Sequence, residues 1–331
     1  MGDLHEALYY KTDETDEVRC LLCPHVCEIY PSRFGKCGVR SNKSGKLFSL
    51  NYARVSSISM DPIEKKPLYH YYPGEQILSI GTIGCNFKCP FCQNWSISQG
   101  GATTRGMTVE SIVNLAVDNG SFGIAYTYNE PFIWYEFVLE TAKLARERGL
   151  KNVLVTNGYI NHDPLKEMLP YIDAMNIDLK SFDDDFYRTI CGGRLDPVLN
   201  TITESFHAGC HIELTNLIIT DLNDNMDMIE NMVGWVSELS RDIPFHFSRY
   251  FPNYHLENQA TDINKIHNAR KIALNHLNYV YTGNITDDES SSTYCPNCKS
   301  AVVSRAGYHI DLSGFENGKC SKCGHQIAII H

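Results

Sequence analysis

The sequence predicts an α/β protein whose central region, residues 76–285, is a full or partial (β/α) barrel of the TIM type. Six or seven short segments are continuously apolar, as parallel strands buried on both faces are. Nearly every one of them is followed by a helical pattern. Polar residues stand where the strands end, and right-handed crossovers bring those ends to one rim. A doubly wound open sheet is the alternative arrangement.

The predicted elements alternate along the chain. We expect strands at Gln76–Thr82, Phe122–Tyr128, Asn152–Thr156, Ala174–Leu179, Ile212–Ile219, Phe245–Tyr250 and Tyr279–Gly283. We expect helices at Thr108–Asp118, with Thr108 as N-cap, and at Ile133–Arg148, Asp163–Leu169, Asp183–Ile190, Pro197–His207, Met226–Leu239 and Ile263–Leu277. No glycine-rich nucleotide loop follows a strand, which disfavours a dinucleotide or P-loop site.

Length and composition limit the classes of protein that fit. The chain has 331 residues, 43% of them hydrophobic, which suits one large domain with one or two small modules. We place these parts at residues 1–75, 76–285 and 286–331. No apolar run reaches the ~18 residues that cross a membrane, and the acidic start is unlike a secretory signal, so we expect the cytoplasm. A net charge of −10 disfavours a broad nucleic-acid footprint.

Thirteen cysteines are present, and eleven of them fall in three clusters with metal-ligand spacing. That distribution indicates metal binding in a reducing compartment rather than disulfides. The central cluster, Cys85, Cys89 and Cys92, lies in one loop directly after the first predicted barrel strand. A zinc site or an ordinary four-iron cluster takes four protein ligands, and this loop supplies three. The spacing favours a cubane cluster with one iron open to a ligand that is not protein; a zinc site completed by a distant cysteine, or free thiols, are the alternatives.

The N-terminal cluster, Cys20, Cys23, Cys27 and Cys37, follows a start that we expect to be loosely held. Its thiolates suit zinc and a second iron–sulfur cluster equally, and unligated buried cysteines are the remaining alternative. A hairpin is predicted at 42–52. The following segment, residues 61–67, has two prolines and mixed charge, and its composition indicates a solvated connection.

The C-terminal cluster consists of two CxxC knuckles, Cys295 with Cys298 and Cys320 with Cys323, separated by 21 residues. This spacing predicts a zinc ribbon. A structural zinc ion substitutes for the hydrophobic core that so few residues cannot build. A short polar linker after Asn284 separates the ribbon from the barrel.

The residues at the predicted strand ends are amides, carboxylates and hydroxyls. Each one alone is more often a cap, a turn or an ion pair, so their shared position is what matters. Such a rim suits a polar cofactor, for example a nucleoside with an amino-acid tail. The rim candidates are Asn129, Glu130, Thr156, Asn157, Asp178, Lys180, Glu213, Thr215, Asn216, His246, Ser248, Arg249 and Asn284.

The central cysteine loop resembles the radical S-adenosylmethionine (SAM) signature CxxxCxxC, with an aromatic residue before its last cysteine. The wider chain resembles the AmmeMemoRadiSam system radical SAM enzymes, a group similar to the pyruvate formate-lyase activating enzymes. The likeness runs from about Cys20 to Asn284. It is carried by the segments Asp61–His70, Tyr72–Gly74, Gly84–Gln99, Tyr126–Pro131 and His246–Pro252.

The resemblance implies a radical SAM barrel and roles for particular residues. Cys85, Cys89 and Cys92 would hold a [4Fe-4S] cluster whose open iron is chelated by SAM, and Phe91 would pack near the adenine. Asn129 and Glu130 stand where the family has a Gly-Gly-Glu motif that binds the methionine amino group, and Tyr128-Asn129 replaces the two glycines. The remaining implied cofactor-binding residues are Thr156, Asn157, Asp178, Lys180 and His246.

The implied reaction is reductive cleavage of SAM to methionine and a 5′-deoxyadenosyl radical, which abstracts hydrogen from a substrate. No side-chain base is required, so no catalytic residue is assigned. The reaction needs an external one-electron reductant such as a flavodoxin or ferredoxin. The resemblance also implies Memo-like and AMMECR-like partner proteins.

Three other functions compete with this hypothesis. A glycyl-radical activase is the first, although activases of the larger type carry their extra cysteines after the signature, whereas here four precede it. A non-catalytic scaffold with zinc in all three clusters is the second. Nucleic-acid modification through the ribbon is the third, and the acidic balance disfavours it.

Overall fold

The computed structural model describes residues 4–331, and its first part is a set of small antiparallel sheets. The strands are β1 (His5–Glu6), β2 (Tyr10–Thr12), β3 (Val18–Cys20), β4 (Glu28–Ile29), β5 (Arg40–Lys43), β6 (Lys46–Ser49) and β7 (Arg54–Val55). Strands β2, β3 and β4 form one sheet, and β1, β6 and β5 form another. The β5–β6 pair is the predicted hairpin, which is confirmed.

The expectation of a loosely held start is wrong for the described residues. His5 and Glu6 pair with Ser49 and Phe48, and β2 pairs with β3. The acidic composition suggested a solvated end. Hydrogen bonds between strands nevertheless fix the backbone, because they do not depend on which side chains point to solvent. These two strands fasten the start of the chain to the N-terminal cysteine region.

The central element is an eight-stranded sheet. Its strands are β8 (Ser57–Pro62), β9 (Gln76–Gly81), β11 (Gly123–Tyr126), β12 (Lys151–Thr156), β13 (Ala174–Asp178), β14 (His211–Ile218), β15 (Phe245–Arg249) and β16 (Val280–Gly283), and a short β10 (Arg105–Gly106) pairs with β7. From β9 to β16 every neighbouring pair is parallel and each new strand joins the previous one. The order has no reversal, so the doubly wound alternative is wrong.

The predicted α/β class is confirmed, and the hydrogen-bonded strand order is the one that a (β/α) barrel has, left open between β8 and β16. Strand β8 runs antiparallel to β9 at one edge. The sequence had placed residues 57–62 in the N-terminal module, and the structure makes them part of the main sheet. The prediction of a solvated connection at 61–67 is therefore wrong: Asp61 and Lys66 are buried.

Helices connect the parallel strands and cover one face of the sheet. They are α1 (Trp95–Ser98), α2 (Val109–Asp118), α3 (Tyr135–Glu147), α4 (His162–Met168), α5 (Asp184–Phe186), α6 (Leu195–His207), α7 (Met226–Leu239) and α8 (Ile263–Ala273). Thr108 caps α2, where its side chain accepts a hydrogen bond from the Ser111 backbone N–H, as predicted. A 3₁₀ turn precedes α3, and a π-helical segment, Tyr187–Cys191, follows α5.

The two faces of the sheet differ in chemistry because strand side chains alternate. Leu78, Ile80 and Leu154 point to the helices and join the main hydrophobic core. Residues one position away point to the other, inner face, and several are small or polar, such as Ser79, Asn176 and Glu213. Towards its amino-terminal end this inner face packs against the segment after β8, through Ile63, Leu68 and Tyr71.

The C-terminal module docks on the amino-terminal end of the sheet. It contains α9 (Asp288–Ser291), β17 (Thr293–Tyr294), β18 (Ala301–Ala306), β19 (His309–Asp311), β20 (Phe315–Glu316) and β21 (Lys319–Cys320). Its core includes Tyr279, which directly precedes β16, and Tyr281 within that strand. The chain end returns to bridge Tyr71 through Ile330. Within residues 4–331 no helix has the length and apolar character needed to span a membrane.

Candidate active site

The central cysteine loop begins where β9 ends, at the carboxyl edge of the parallel strands. Asn129, beyond the end of β11, holds its first residues: its Oδ1 accepts from the Thr82 backbone N–H (3.0 Å) and its Nδ2 donates to the Gly84 carbonyl (2.8 Å). Gly84 itself has a φ of +89°. A Cβ there would lie 2.8 Å from the carbonyl oxygen of Cys37, so this contact requires glycine. The loop is therefore fixed by both the sheet and the N-terminal module.

The three thiols of the loop are buried or half-buried, and two of them have hydrogen-bond partners among neighbouring polar groups. Cys85 Sγ accepts from the Phe87 backbone N–H (3.4 Å) and from Asn157 Nδ2 (3.7 Å). Cys92 Sγ lies 3.1 Å from Ser98 Oγ. Burial raises the pKa of the Cys85 thiol well above its ordinary value. A thiol in such a place becomes a thiolate when a metal binds it, and N–H donors aimed at sulfur suit an anionic cluster.

Glu130 lies beside this loop as a buried carboxylate with three hydrogen-bond donors. Oε1 accepts from the Phe132 backbone N–H (2.9 Å) and Thr156 Oγ1 (2.7 Å), and Oε2 accepts from the Asn157 backbone N–H (2.8 Å). Burial raises the pKa of Glu130 to about 7 although these donors oppose the shift. The predicted site residues Glu130, Thr156 and Asn157 thus form one network, which Asn157 joins to Cys85.

In the family that the sequence resembles, two glycines stand where this chain has Tyr128 and Asn129. The structure shows why each of these residues fits its position. Tyr128 adopts a φ of +69°, a left-handed conformation that glycine adopts easily. Its hydroxyl donates to Asp61 Oδ2 (2.6 Å), and Lys66 Nζ lies 4.7 Å from the centre of its ring. The Asn129 amide bonds to the loop backbone at both of its ends, so in this structure it positions the loop.

Asp178 and Lys180 lie at and just beyond the end of β13 as an ion pair, with 2.7 Å between Oδ2 and Nζ. Burial opposes the charge on Lys180, but the neighbouring Asp178 raises its pKa well above the ordinary value. Lys180 Nζ also lies 5.9 Å from the centre of the Phe91 ring, and Phe91 is buried within the cysteine loop. Phe91, Asp178 and Lys180 are thus brought together at the carboxyl edge.

His246 is not at that edge, and its predicted position is wrong. It is the second residue of β15, near the amino-terminal end of the sheet, and its Nε2 lies 2.7 Å from Glu213 Oε2. Glu213 also bonds to the His70 backbone N–H (2.6 Å). The predicted strand, Phe245–Tyr250, already put His246 near its beginning, but His246 was grouped with the residues at the carboxyl end of the strand. The pair belongs to a polar layer that the C-terminal module covers.

The four N-terminal cysteines lie together, close to the central loop. Cys20, Cys23 and Cys37 are buried and Cys27 is half-buried. Burial raises the pKa of Cys20 to about 11, opposed by the Arg40 guanidinium and reinforced by the neighbouring Cys37 and Cys27 thiols. The sequence predicted this cluster from spacing alone, and it gave no sign that Arg40 would lie beside it.

The C-terminal cysteines form a tight cluster. Their four sulfur atoms all lie within 4.8 Å of one another, and among residues 4–331 no other three metal-ligating groups do so. Cys295 Sγ is 3.6 Å from Cys323 Sγ, and Cys298 Sγ is 3.7 Å from Cys320 Sγ. Four sulfurs about 2.3 Å from one ion stand about 3.8 Å apart, so the spacing fits a single tetrahedral metal ion. Hydrogen bonds from Ser300 lower the pKa of Cys298 to about 6, which favours the ligating thiolate.

Cys191 is a neighbour of the central loop that sequence reasoning did not place there. It ends the π-helical segment, its carbonyl accepts from the Lys88 backbone N–H (2.9 Å), and its thiol lies beside that of Cys89. That contact and burial together raise the pKa of Cys89. Because Cys191 stands alone in the sequence, no cysteine motif indicated that it would lie near the central loop.

Comparisons with known proteins agree with this geometry. The family model described as the radical SAM superfamily matches residues 79–236. An uncharacterized protein of Methanocaldococcus jannaschii is 42% identical over 335 residues, covering 99% of this chain and all of the relative. The pyruvate formate-lyase-activating enzyme of Clostridium pasteurianum is 24% identical over 164 residues, which cover 47% of this chain and 67% of that enzyme.

Among solved structures, SuiB of Streptococcus suis bound to precursor peptide SuiA superposes with a TM-score of 0.51 at 16% identity. The match covers 66% of this chain and 51% of SuiB, and it shows the fold alone. The family match begins within β9 and includes the three-cysteine loop, Glu130, Asn157 and Lys180. The chain belongs to the radical SAM superfamily and is an enzyme similar to the pyruvate formate-lyase activating enzymes.

Proposed function

We propose that this enzyme cleaves SAM reductively and uses the product to abstract hydrogen from a substrate. One observation carries the proposal: Cys85, Cys89 and Cys92 stand at the carboxyl edge of the sheet beside a buried network of polar groups. A [4Fe-4S] cluster at these cysteines, with SAM bound, supplies methionine and a 5′-deoxyadenosyl radical as its chemistry. The chain's own groups bind, orient and shield that cofactor.

The polar groups near the loop divide into binding and positioning residues. Asp178 and Lys180 carry carboxylate and ammonium groups that match the polar parts of a nucleoside with an amino-acid tail. Glu130 offers Oε2, which accepts a single hydrogen bond from the part of the chain that the structure describes. Phe91 offers an aromatic surface next to Lys180. We assign Thr156, Asn129 and the Asn157 side chain to positioning, because their side-chain groups already bond within the protein.

A glycyl-radical activase is the second candidate function. The support is the name of the Clostridium pasteurianum relative, which matches part of this chain. In that case the hydrogen would come from a backbone glycine of a partner protein. The four cysteines that precede the signature distinguish this chain from activases of the larger type, so we rank the function second. A glycyl radical detected on an added partner protein would support it.

We further propose a zinc ion for the ribbon cysteines, since the sulfur spacing fits one tetrahedral ion. We propose zinc or an iron–sulfur cluster for the N-terminal cysteines, and a flavodoxin or ferredoxin as the reductant. The thirteen cysteines are unpaired, which suits a reducing compartment such as the cytoplasm. Memo-like and AMMECR-like partners remain a proposal from resemblance.

The test is whether SAM binds at an open iron of the central cluster. The full chain is reconstituted anaerobically with iron and sulfide and reduced, and its electron paramagnetic resonance (EPR) spectrum is recorded with and without SAM. We expect SAM to change the spectrum of the central cluster. Cys191→Ser is the matched control, because it removes the nearby thiol but leaves the three ligands. An unchanged wild-type spectrum, or a SAM effect that appears only in Cys191→Ser, would mean that the fourth iron is not open.

A further inference from the structure

We propose that the N-terminal cysteines hold a redox-active iron–sulfur cluster that accepts electrons from a donor protein and passes them to the central cluster. This proposal rests on the radical SAM function proposed above. It goes further by choosing between zinc and iron–sulfur at Cys20, Cys23, Cys27 and Cys37 and by giving that site a role in the reaction.

The first observation is that backbone N–H groups converge on the four sulfurs. The backbone N–H group of Leu22 lies near the Cys20 sulfur, that of His25 near the Cys23 sulfur, and those of Val39 and Arg40 near the Cys37 sulfur. The Lys36 backbone N–H lies 3.5 Å from Cys27 Sγ. N–H dipoles beside each sulfur suit thiolates that are bound to a metal. Without a metal centre, thiolates this close together and largely buried would repel one another.

The second observation is a buried cation with an unused donor. Arg40 is 1% exposed; its Nη2 donates to Glu136 (2.7 Å) and its Nη1 to the Leu8 carbonyl (3.1 Å). Within residues 4–331 its Nε has no hydrogen-bond partner, although a buried polar group normally has one. The thiols of Cys20 and Cys37 lie close enough to Arg40 for an electrostatic interaction with its guanidinium group. An anionic metal–thiolate centre would be the missing acceptor.

The third observation separates a cluster from a single ion by size. The ribbon sulfurs all lie within 4.8 Å of one another, which is the spacing that one ion imposes. Within the described chain, no three of the N-terminal sulfurs meet that limit, and neither do those of the central loop. A cubane holds its thiolates farther apart than a single ion does. In the described chain the N-terminal sulfurs are therefore less tightly grouped than the four ribbon sulfurs, which suits a cluster better than a single ion.

The fourth observation is that the two sites touch. Gly84, which precedes Cys85, packs on the carbonyl of Cys37 so closely that an added Cβ would be 2.8 Å from the oxygen. His25, between Cys23 and Cys27, places Nε2 2.7 Å from the carbonyl oxygen of Asn86, which follows Cys85. Two short contacts thus join the backbones of the two cysteine regions. A cluster at each site would be separated by little more than these peptides.

The fifth observation concerns the surface beside the N-terminal site. Three exposed basic residues lie close enough to His25 to interact with it electrostatically: Lys36, Lys88 and Arg194. The whole chain has a net charge of −10, so this basic group stands out from its surroundings. Complementary charge steers association, which makes an acidic one-electron carrier protein the fitting donor. One electron would pass from the carrier to the N-terminal cluster and then to the central cluster, leaving the first cluster reoxidised.

The metal content tests the cluster independently of SAM chemistry. In the variant Cys85→Ala/Cys89→Ala/Cys92→Ala, reconstituted anaerobically as the full chain, we expect about four iron atoms per chain, with matching sulfide. Dithionite should give an EPR signal, and zinc should be about one per chain, in the ribbon. Two zinc ions and no iron would overturn the proposal. If SAM cleavage were absent in the wild type while the iron remained, the proposed function would fail and the cluster would stand.

The relay is tested by His25→Ala, with the exposed ribbon residue His309→Ala as control. We expect both variants to keep the wild-type iron content. Stopped-flow reduction of the central cluster by reduced flavodoxin should slow at least about 10-fold in His25→Ala and stay unchanged in His309→Ala. Dithionite, which reaches each cluster directly, should reduce both variants at the wild-type rate. An unchanged rate with flavodoxin in His25→Ala would overturn the relay.

Discussion

At the scale of single residues, neighbours in the chain have separate tasks beside the central loop. Asn129 forms hydrogen bonds with the backbone at Thr82 and Gly84, while Glu130 accepts hydrogen bonds from Thr156 and Asn157. The sequence placed all of these near one rim, and the structure joins them. The direction of each amide was not predictable, because it depends on backbone groups that the fold brings close from another strand.

Asn129→Ala should loosen the cysteine loop without removing any ligand. Two hydrogen bonds to the loop backbone disappear, and we expect a loss of about 2 kcal/mol in the free energy of unfolding. Iron should also be lost faster under a chelator. The exposed Asn119→Ala, which loses one hydrogen bond at the end of α2, is the control. Iron loss at the same rate in both variants would show that Asn129 does not position the loop.

At the scale of elements, the segment from β8 through residue 74 was the main error of the sequence reading. Its charges and prolines suggested a solvated loop, yet Asp61 is 5% exposed and Lys66 2% exposed. Burial opposes ionisation of Asp61, but Lys66, Tyr128 and Lys65 hold its pKa well below the usual range. Paired charges can be buried, and composition does not show the pairing. The parallel strands were predictable, because short apolar runs that alternate with helical patterns are typical of parallel strands buried on both faces.

Lys66→Met should destabilise the protein far more than Lys65→Met, although both lysines bond to Asp61. Lys66 is 3% exposed in its side chain, and removing it leaves a buried carboxylate short of its main partner. We expect a cost of about 3 kcal/mol. Lys65 is 44% exposed, and its loss should cost less than about 1 kcal/mol. Urea unfolding of the two variants measures the difference, and equal costs would contradict the assigned pairing.

At the scale of the whole molecule, three cysteine regions lie at different ends of the same central sheet. The N-terminal region touches the central loop at the carboxyl edge, and the ribbon covers the amino-terminal end. His70 connects the parts there: Nδ1 lies 2.7 Å from the Ala328 carbonyl and Nε2 lies 2.5 Å from the Tyr281 hydroxyl. The sequence predicted the ribbon from its cysteines, but it held no signal for where the ribbon docks.

Docking of the ribbon should weaken in acid through His70. Burial lowers the pKa of His70 from 6.5 to about 3; Glu213 opposes this shift, and Arg305 and His211 reinforce it. At pH values between these two pKa values, the unfolded chain binds a proton at His70 and the folded chain does not. The free energy of unfolding therefore falls as pH drops below about 6.5, by about 1.4 kcal/mol per pH unit. His70→Gln should remove this part of the pH dependence. The measurement is urea unfolding of both proteins at pH 7 and pH 5.5, and identical pH dependences would refute the assignment.

The most direct test of the central claim is the product of a reduced, reconstituted enzyme given SAM. Under anaerobic conditions with dithionite, the wild type should form 5′-deoxyadenosine and methionine in equal amounts, quantified by liquid chromatography and mass spectrometry. Cys89→Ala should form neither above background, and Cys191→Ser should form both. If the wild type yields no 5′-deoxyadenosine, or Cys89→Ala yields as much as the wild type, the three-cysteine loop is not the site of SAM cleavage.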